Sequence, residues 1–192
     1  MAQKFNILTN YKKFGELLDS GAVFCAFDTE TTGLSADVGR VIELGAVKFT
    51  KDGVMDTFQT LLDPLMPISP EASAVNHIFD DMVQGMPTES QVMPRFAQFA
   101  GGAVLVAHNA QFDIRFVNAA MERLSLPQLG NAAIDTLRLT RAIFPDAGHW
   151  TLQALAQRLG IDGGNAHRAL DDAQTCRLIF LSTVARIKKC LR

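Results

Sequence analysis

The chain has 192 residues, of which 48% are hydrophobic and 20% are charged, and these values fit one compact domain whose core is large enough to fold unaided. Its formal net charge of −2 excludes a global positive field that would attract nucleic acid, so any phosphate contact must come from a local patch. The N-terminus MAQKFNILTNYKK has no apolar signal core, and no segment approaches the ~20 apolar residues of a membrane span.

The chain has three cysteines, Cys25, Cys176 and Cys190, an odd number without paired metal-ligand spacing. We therefore expect small, buried and reduced thiols in a cytoplasmic protein that has no membrane partner.

The first half of the chain predicts an antiparallel meander. Residues 23–29 (VFCAFDT) and 41–49 (VIELGAVKF) have the composition of buried strands. The second strand leads through Lys51-Asp52-Gly53, which is typical of a turn, into a third strand, VMDTFQTLL. After three prolines, Ser69-Pro70-Glu71 has the pattern of a helix start.

Helices and strands alternate in the second half. We predict a helix near 91–100, a strand over 104–107, a helix over 110–124 and a short strand at 133–135. Three further helices follow, at 136–143, 151–159 and about 167–189. A meander followed by alternating elements indicates an α/β fold, a mixed sheet flanked by helices, in a single domain over residues 1–192.

Two acids end the first predicted strand. Asp28 and Glu30 are two residues apart and so point to the same face, at the strand's carboxyl end. Such a pair repels unless it is solvated, shares a proton or binds a cation, and its hard oxygens suit Mg²⁺ or Mn²⁺. Alone, the pattern is more typical of two solvated acids at a strand end.

The last predicted helix contains a second acidic pair. Asp172 belongs to an apolar seam with three- and four-residue steps, which comprises Ala169, Asp172, Ala173, Cys176, Ile179, Phe180 and Thr183. A carboxylate on a core-facing seam needs a partner or a metal, whereas the neighbouring Asp171 falls on the polar face. The alternative for Asp172 is an acid that interacts with the helix dipole.

Asp113 and four histidines complete the candidates. Asp113 follows the strand 104–107 in the first turn of a helix, at a strand end of the kind where α/β sheets bind ligands. His167, five residues before Asp172, suits a movable general base. His77 and His149 are more simply structural or surface residues, and His108 could either bond backbone or approach substrate. Together, four acids and a histidine describe a two-metal hydrolytic site for phosphodiesters, although small phosphate esters also fit.

Three ordered segments carry a family resemblance: FDTETTGL at 27–34, HNAQFD at 108–113 and HRALDDAQ at 167–174. They resemble the three motifs of the DnaQ-like (DEDDh) 3′-5′ exonuclease superfamily. The resemblance implies a ribonuclease H-like fold, release of nucleoside 5′-monophosphates and two Mg²⁺ ions for which Mn²⁺ substitutes. It implies His167 as the catalytic base and, as metal ligands, Asp28, Glu30, Asp113 and Asp172. Arg168 stands where a tyrosine would mark the sister branch, and it is a candidate phosphate contact.

The resemblance also implies contacts to the terminal nucleotide, for which the candidates are Thr31, Leu34, Glu71, Asn76, His77, His108 and Phe112. Core packing is the alternative for Leu34 and Phe112. The family pattern Val-His-Gly-Ile is replaced here by Val75-Asn76-His77-Ile78, which leaves open whether Asn76 or His77 reaches the substrate.

Motif one reads Asp-Thr-Glu-Thr-Thr-Gly, whereas oligoribonucleases typically have Asp-Leu-Glu-Met-Thr-Gly, so we expect a DNA exonuclease of the proofreading or repair type. The expected partners are single-stranded DNA with a free 3′ end and a DNA polymerase, and the short segment after the last helix favours a stand-alone enzyme or an excised nuclease domain. An RNA-processing exoribonuclease and a catalytically silent nucleic-acid-binding module are the alternatives.

Overall fold

A computed structural model describes residues 5–191 of the chain. Five strands form one sheet in the order β3-β2-β1-β4-β5, with β1 at its centre. The strands are β1 (Phe24–Thr31), β2 (Val41–Thr50), β3 (Gly53–Leu61), β4 (Val104–Ala107) and β5 (Ala133–Asp135). β1, β2 and β3 pair antiparallel, whereas β4 pairs parallel with both β1 and β5. The predicted mixed sheet is confirmed.

Helices flank this sheet at α1 (Phe14–Asp19), α2 (Pro70–Asn76), α3 (Asp80–Val83), α4 (Glu89–Ala100), α5 (Ala110–Arg123), α6 (Thr136–Ile143), α7 (Leu152–Leu159) and α8 (Ala169–Cys190). α1 and α3 were not predicted, because they are too short to display a helical period. The start of α8 also differs from the prediction, because Ala169 is its first residue and His167 lies outside it. Among the described residues, no helix is long and apolar enough to cross a membrane.

The two faces of β1 pack against different helices, as the alternation of strand side chains requires. Cys25 and Phe27 belong to a buried cluster with α4 and α5, on one face of the sheet. Phe24 and Ala26 belong to a second cluster, which contains the apolar seam of α8, on the opposite face. The central strand therefore runs between two hydrophobic cores, and both cores determine where its carboxyl end lies.

Aromatic packing fixes α8 on its face of the sheet. The ring of Phe180 lies 5.2 Å from that of Phe24 and 6.2 Å from that of Phe49, and all three side chains are fully buried. The whole predicted seam of α8 is buried, which confirms its orientation. The prediction of three buried cysteines is wrong for Cys190, which is exposed because it lies in the last turn of α8, beyond the sheet.

The start of α8 lies against β2 at Gly45. A Cβ atom at Gly45 would come within 3.0 Å of backbone atoms of Ala169 and Leu170. The absence of a side chain on Gly45 therefore allows the backbones of α8 and β2 to approach closely. Because Gly45 is also the cross-strand partner of Asp28, this contact places the start of α8 over the acidic end of β1.

Candidate active site

Asp28 and Glu30 lie at the carboxyl end of β1, on the face that α8 covers. The side chain of Glu30 is buried, whereas that of Asp28 is partly exposed. A register shift between Glu30 and Thr31 ends the regular pairing of β1 with β2 at this point. The two carboxylates therefore share one side of the sheet where the strand leaves its ladder, as the spacing predicted.

Asp113 reaches the same strand end from α5. It lies in the first turn of that helix, and its Oδ1 accepts hydrogen bonds from the backbone nitrogen of Thr29 at 3.1 Å and from the hydroxyl of Thr29 at 2.8 Å. Thr29 points to the α5 face because it alternates with Asp28 and Glu30. Two bonds to one residue hold the carboxylate of Asp113 beside Asp28.

Asp172 arrives from the first turn of α8. Its Oδ1 accepts a hydrogen bond from Nε2 of Gln153 in α7 at 2.9 Å, and its Oδ2 accepts one from the backbone nitrogen of His167, also at 2.9 Å. The carboxylate of Asp171 instead accepts hydrogen bonds from the backbone and side-chain nitrogens of Asn165, at 2.9 Å each. The structure thus separates the two neighbouring acids, as the apolar seam predicted.

His167 stands immediately outside α8 in a strained conformation. Its φ is +60°, in the left-handed region that residues other than glycine rarely adopt, and its side chain is exposed. One ring nitrogen and carboxylate oxygens of Glu30 and Asp172 all lie within 4.8 Å of one another. The imidazole is therefore accessible to solvent and adjacent to the acids.

Burial raises the pKa of every carboxyl group in this cluster, and repulsion between the four acids adds to that effect at Asp28 and Glu30. Burial raises the pKa of Asp28 well above its usual range, and the charges of Asp113 and Glu30 add to that effect. The pKa of Glu30 rises to about 8 through burial and the charge of Asp172. Burial raises the pKa of Asp113 to about 7 despite the hydrogen bonds from Thr29, and it also raises the pKa of Asp172.

This donor set fits divalent cations. Five ion pairs occur among the described residues, and none includes Asp28, Glu30, Asp113 or Asp172. Buried carboxylates without a cationic side chain are costly unless a proton or a metal compensates their charge. Hard carboxylate oxygens in this number are ligands that Mg²⁺ and Mn²⁺ favour, so the four acids are suited to hold such ions.

A largely apolar groove of about 650 Å³ adjoins the acids. Its lining includes Thr31, Leu34, Glu71, Asn76 and Phe112, five of the predicted substrate contacts. The side chain of Leu34 is 90% exposed, which excludes core packing, whereas Phe112 is half-buried and packs in a tilted orientation against Phe116, with ring centroids 4.9 Å apart. The groove has the size and character of a site for a nucleoside.

Asn76 and His77, which the sequence could not separate, lie on different surfaces. The amide nitrogen of Asn76 donates to the backbone oxygen of Thr31 at 3.3 Å, which ties α2 to the strand end. His77 has a left-handed backbone after α2 and lines a separate cavity together with Phe79 and Asp80. Of the two residues, Asn76 is the one that lines the groove, but it is buried and its Oδ1 accepts a hydrogen bond from the backbone nitrogen of Ile78 at 3.0 Å, so its contact with substrate stays a prediction.

His108 is engaged within the chain. Its Nδ1 lies 3.0 Å from the hydroxyl of Thr136, and its Nε2 lies 2.8 Å from the backbone oxygen of Trp150. Burial lowers the pKa of the imidazole. Of the two roles considered for His108, the geometry favours the structural one, which joins the end of β4 to the loop before α7. His149 is exposed in that loop.

Three residues that support the site were not predicted from the sequence: Thr29, which holds Asp113, Gln153 and Glu43. Gln153 orients Asp172 through a hydrogen bond, but its place in α7 gave no signal for it. Glu43 did give one, because it is a charged residue within the buried run VIELGAVKF and must have a partner there. That partner is Arg168, with its Nη2 2.9 Å from Oε1 of Glu43 and its side chain 41% exposed, so its predicted contact with a substrate phosphate stays a prediction.

Comparison with known proteins is consistent with this geometry. Residues 25–180 match the RNase T family model, whose description is exonuclease. Among similar proteins, the DNA polymerase III subunit epsilon of Treponema pallidum is 42% identical over 168 residues, which cover 86% of this chain and 78% of that protein. The PolC-type DNA polymerase III of Caldanaerobacter subterraneus is 38% identical over 166 residues, but the matched region covers only 12% of its length.

Solved structures that are similar to this chain are also exonucleases. Exonuclease X in complex with 5′ overhanging duplex DNA superposes with a TM-score of 0.66 at 28% identity, covering 87% of this chain and 92% of that one. Escherichia coli exonuclease I in complex with a dT13 oligonucleotide has a TM-score of 0.77 at 18% identity, covering 88% of this chain and 42% of that one, and at this identity the match concerns the fold alone.

Proposed function

The chain belongs to the exonuclease family, and from that premise we propose that it removes nucleotides one at a time from the 3′ end of DNA. The observation that carries the proposal is the position of His167, whose ring lies beside Glu30 and Asp172. An exposed imidazole next to an acid cluster and a groove of nucleoside size is the arrangement that hydrolysis of a terminal phosphodiester needs.

Two Mg²⁺ ions, for which Mn²⁺ can substitute, are the metals that we propose for the site. Asp28, Glu30 and Asp172 would hold one ion, and Asp28 and Asp113 would hold the other. When bound, such ions neutralise the carboxylates and polarise the scissile phosphate as Lewis acids.

The residues of the chain have separate tasks in this proposal. His167 accepts a proton from the attacking water as the water oxygen bonds to phosphorus and the bond to the preceding nucleotide's 3′ oxygen breaks. That 3′ oxygen takes up a proton from solvent and becomes the new terminal hydroxyl, and the imidazolium returns its own proton to solvent. The hydrogen bond from the backbone nitrogen of His167 to Asp172 keeps the ring at the acids. The terminal nucleoside occupies the groove, where Leu34 and Phe112 contact the base, and Glu71 and Asn76 contact the sugar.

The names of the relatives support DNA as the substrate and a polymerase as the partner. The Treponema protein is a subunit of DNA polymerase III, and exonuclease X was solved with DNA. Because the chain spans little more than a tenth of the PolC-type relatives, a polymerase domain or subunit alongside it is part of the proposal. We also propose a cytoplasmic location, since buried Cys25 and Cys176 form no disulfide.

The test uses a 5′-labelled single-stranded oligonucleotide, as DNA and as RNA, with Mg²⁺, Mn²⁺ or EDTA. We expect a ladder of DNA products shortened from the 3′ end, release of nucleoside 5′-monophosphates, and no shortening in EDTA. Faster shortening of RNA than of DNA would instead indicate an exoribonuclease. No metal-dependent shortening of either substrate would refute it, and hydrolysis of a simple aryl phosphate would then indicate a phosphatase.

A further inference from the structure

Glu43 is a fully buried acid beside the proposed active site. It is the cross-strand partner of Glu30 in the pairing of β1 with β2. Its Oε1 accepts hydrogen bonds from Nη2 of Arg168 at 2.9 Å and from Nε2 of Gln59 at 3.1 Å. Its Oε2 accepts from Nε of Arg168 at 3.1 Å and from the backbone nitrogen of Ala169 at 3.2 Å. Four donors thus surround one carboxylate.

This arrangement anchors the start of α8 to β2. Arg168 is the residue before the helix, and its side chain makes no capping bond to the first turn of α8. The backbone nitrogen of Ala169 would lack an acceptor within the helix, and Glu43 from the neighbouring strand supplies one. A bidentate guanidinium–carboxylate pair also fixes direction as well as distance, so Arg168 has one orientation on the sheet.

His167 is therefore held from both sides. Its backbone nitrogen is bonded to Asp172 on α8, and the next residue, Arg168, is clamped to Glu43 on β2. These two contacts hold the backbone of His167 in its left-handed conformation, with φ of +60°. Without the clamp, the backbone could relax toward ordinary φ values, and the imidazole would leave Glu30 and Asp172.

We propose that Glu43 and Arg168 are positioning residues for catalysis, which act by holding the His167 imidazole at the acid cluster. This inference rests on the proposed function, in which His167 is the base. It gives Arg168 a task beside the predicted phosphate contact, because Nε and Nη2 of its guanidinium are engaged by Glu43.

The experiment is a double-mutant cycle between Arg168→Lys and His167→Ala. Lysine keeps the charge but cannot make the two-donor fork. Single-turnover rates on a labelled DNA oligonucleotide in Mg²⁺ report the chemical step, and half-saturating enzyme concentrations report binding. We expect Arg168→Lys to slow the step on the order of 10- to 100-fold, with half-saturation changed by less than about twofold.

In the His167→Ala background, the same Arg168→Lys substitution should slow the residual rate by less than about twofold, because a residue that acts through the imidazole has no effect in its absence. Glu43→Gln should behave like Arg168→Lys in both backgrounds. Asp19→Asn, which removes the exposed ion pair with Lys188 near the other end of α8, is the matched control and should leave both rates unchanged.

Each other outcome identifies a different error. An equal loss in both backgrounds would overturn the positioning role, and so would weaker binding with an unchanged rate, which would make Arg168 a substrate contact. A loss of rate that parallels a loss of melting temperature and also appears with Asp19→Asn would show that the Glu43–Arg168 pair acts only through the overall stability of the protein. If His167→Ala alone kept the wild-type rate, the base role in the proposed function would fail instead.

Discussion

Asp171 and Asp172 are consecutive residues whose carboxylates lie in different parts of the structure. Asp171 accepts two hydrogen bonds from Asn165 and so stabilises the loop before α8. Asp172 lies in the acid cluster, where burial raises its pKa. Loss of charge at one position should therefore remove a favourable interaction, and at the other it should relieve an unfavourable one.

The first prediction compares Asp171→Asn with Asp172→Asn. We expect Asp172→Asn to lower kcat by more than the ~100-fold that is typical for loss of a residue supporting a metal site, because Asp172 is a proposed ligand itself. In EDTA its melting temperature should rise, since one of the repelling charges is gone. Asp171→Asn should retain most activity and melt lower. Oligonucleotide cleavage and thermal unfolding measure the two effects.

The comparison contains its own control, because the two variants make the same chemical change at adjacent positions. The assignment of the two acids would be contradicted by a large loss of activity in Asp171→Asn, or by a lower melting temperature of Asp172→Asn in EDTA.

The sequence alone was sufficient to place the acids but not to identify the residues that support them. Asp28, Glu30 and Asp113 could be placed together because strand alternation and sheet topology bring them to one edge. The pairing of Glu43 with Arg168 joins residues 125 apart in the chain, and no local pattern encodes which buried charge meets which. The choice between Asn76 and His77 likewise depended on the left-handed turn that ends α2.

Among the contacts between helices and strands, the one on which the site depends is the contact between α8 and β2. Gly45 lets the two backbones touch, and the start of α8 then carries both Asp172 and the proposed base. The closest neighbours of a Cβ atom at Gly45 are backbone atoms of Ala169 and Leu170, which cannot rotate away as a side chain would. Any side chain there must push the helix outward.

The second prediction follows from this contact. Gly45→Ala should destabilise the protein by about 1–3 kcal/mol, the usual cost of overpacking, and should also slow cleavage because α8 is displaced from β1. Gly102→Ala is the matched control, since a Cβ atom there meets no atom within 4 Å. Denaturant unfolding and single-turnover cleavage provide the measurements. Equal stability of the two variants would show that α8 is not packed against Gly45 as described.

Other elements show where a sequence pattern suffices. The meander was predictable because each strand alternates or is continuously apolar and Lys51-Asp52-Gly53 supplies the turn. α1 and α3 have only 6 and 4 residues, which is too short for periodicity to be visible. The start of α8 was misplaced because its first backbone nitrogen, that of Ala169, donates to Glu43 on β2 rather than to a capping residue next to it in the sequence.

On the scale of the whole molecule, the fold holds a repulsive cluster between two well-packed cores. One core positions Asp113 through α5, the other positions Asp172 through α8, and β1 between them carries Asp28 and Glu30. None of these four acids belongs to an ion pair of the described residues. The packing of the rest of the chain must therefore compensate for their repulsion whenever no cation is bound.

The last prediction concerns pH and metal together. The raised pKa values of Glu30 (about 8) and Asp113 (about 7) mean that the folded protein binds more protons than the unfolded chain between their ordinary values, 4.5 and 3.8, and these raised ones. Stability in EDTA should therefore fall as pH rises through that window. His108 has the opposite effect on stability, because burial lowers its pKa from 6.5. That effect is confined to pH values below 6.5. The test window is consequently pH 6.5 to just above 8.

In this pH window we expect the melting temperature in EDTA to decline with pH, and Glu30→Gln to show a shallower decline. Saturating Mg²⁺ should raise the melting temperature most at the high-pH end, because the ionised carboxylates bind the cation only in the folded state. A wild-type melting temperature that rises with pH in EDTA would mean that the four carboxylates are not the repulsive cluster that a divalent cation relieves.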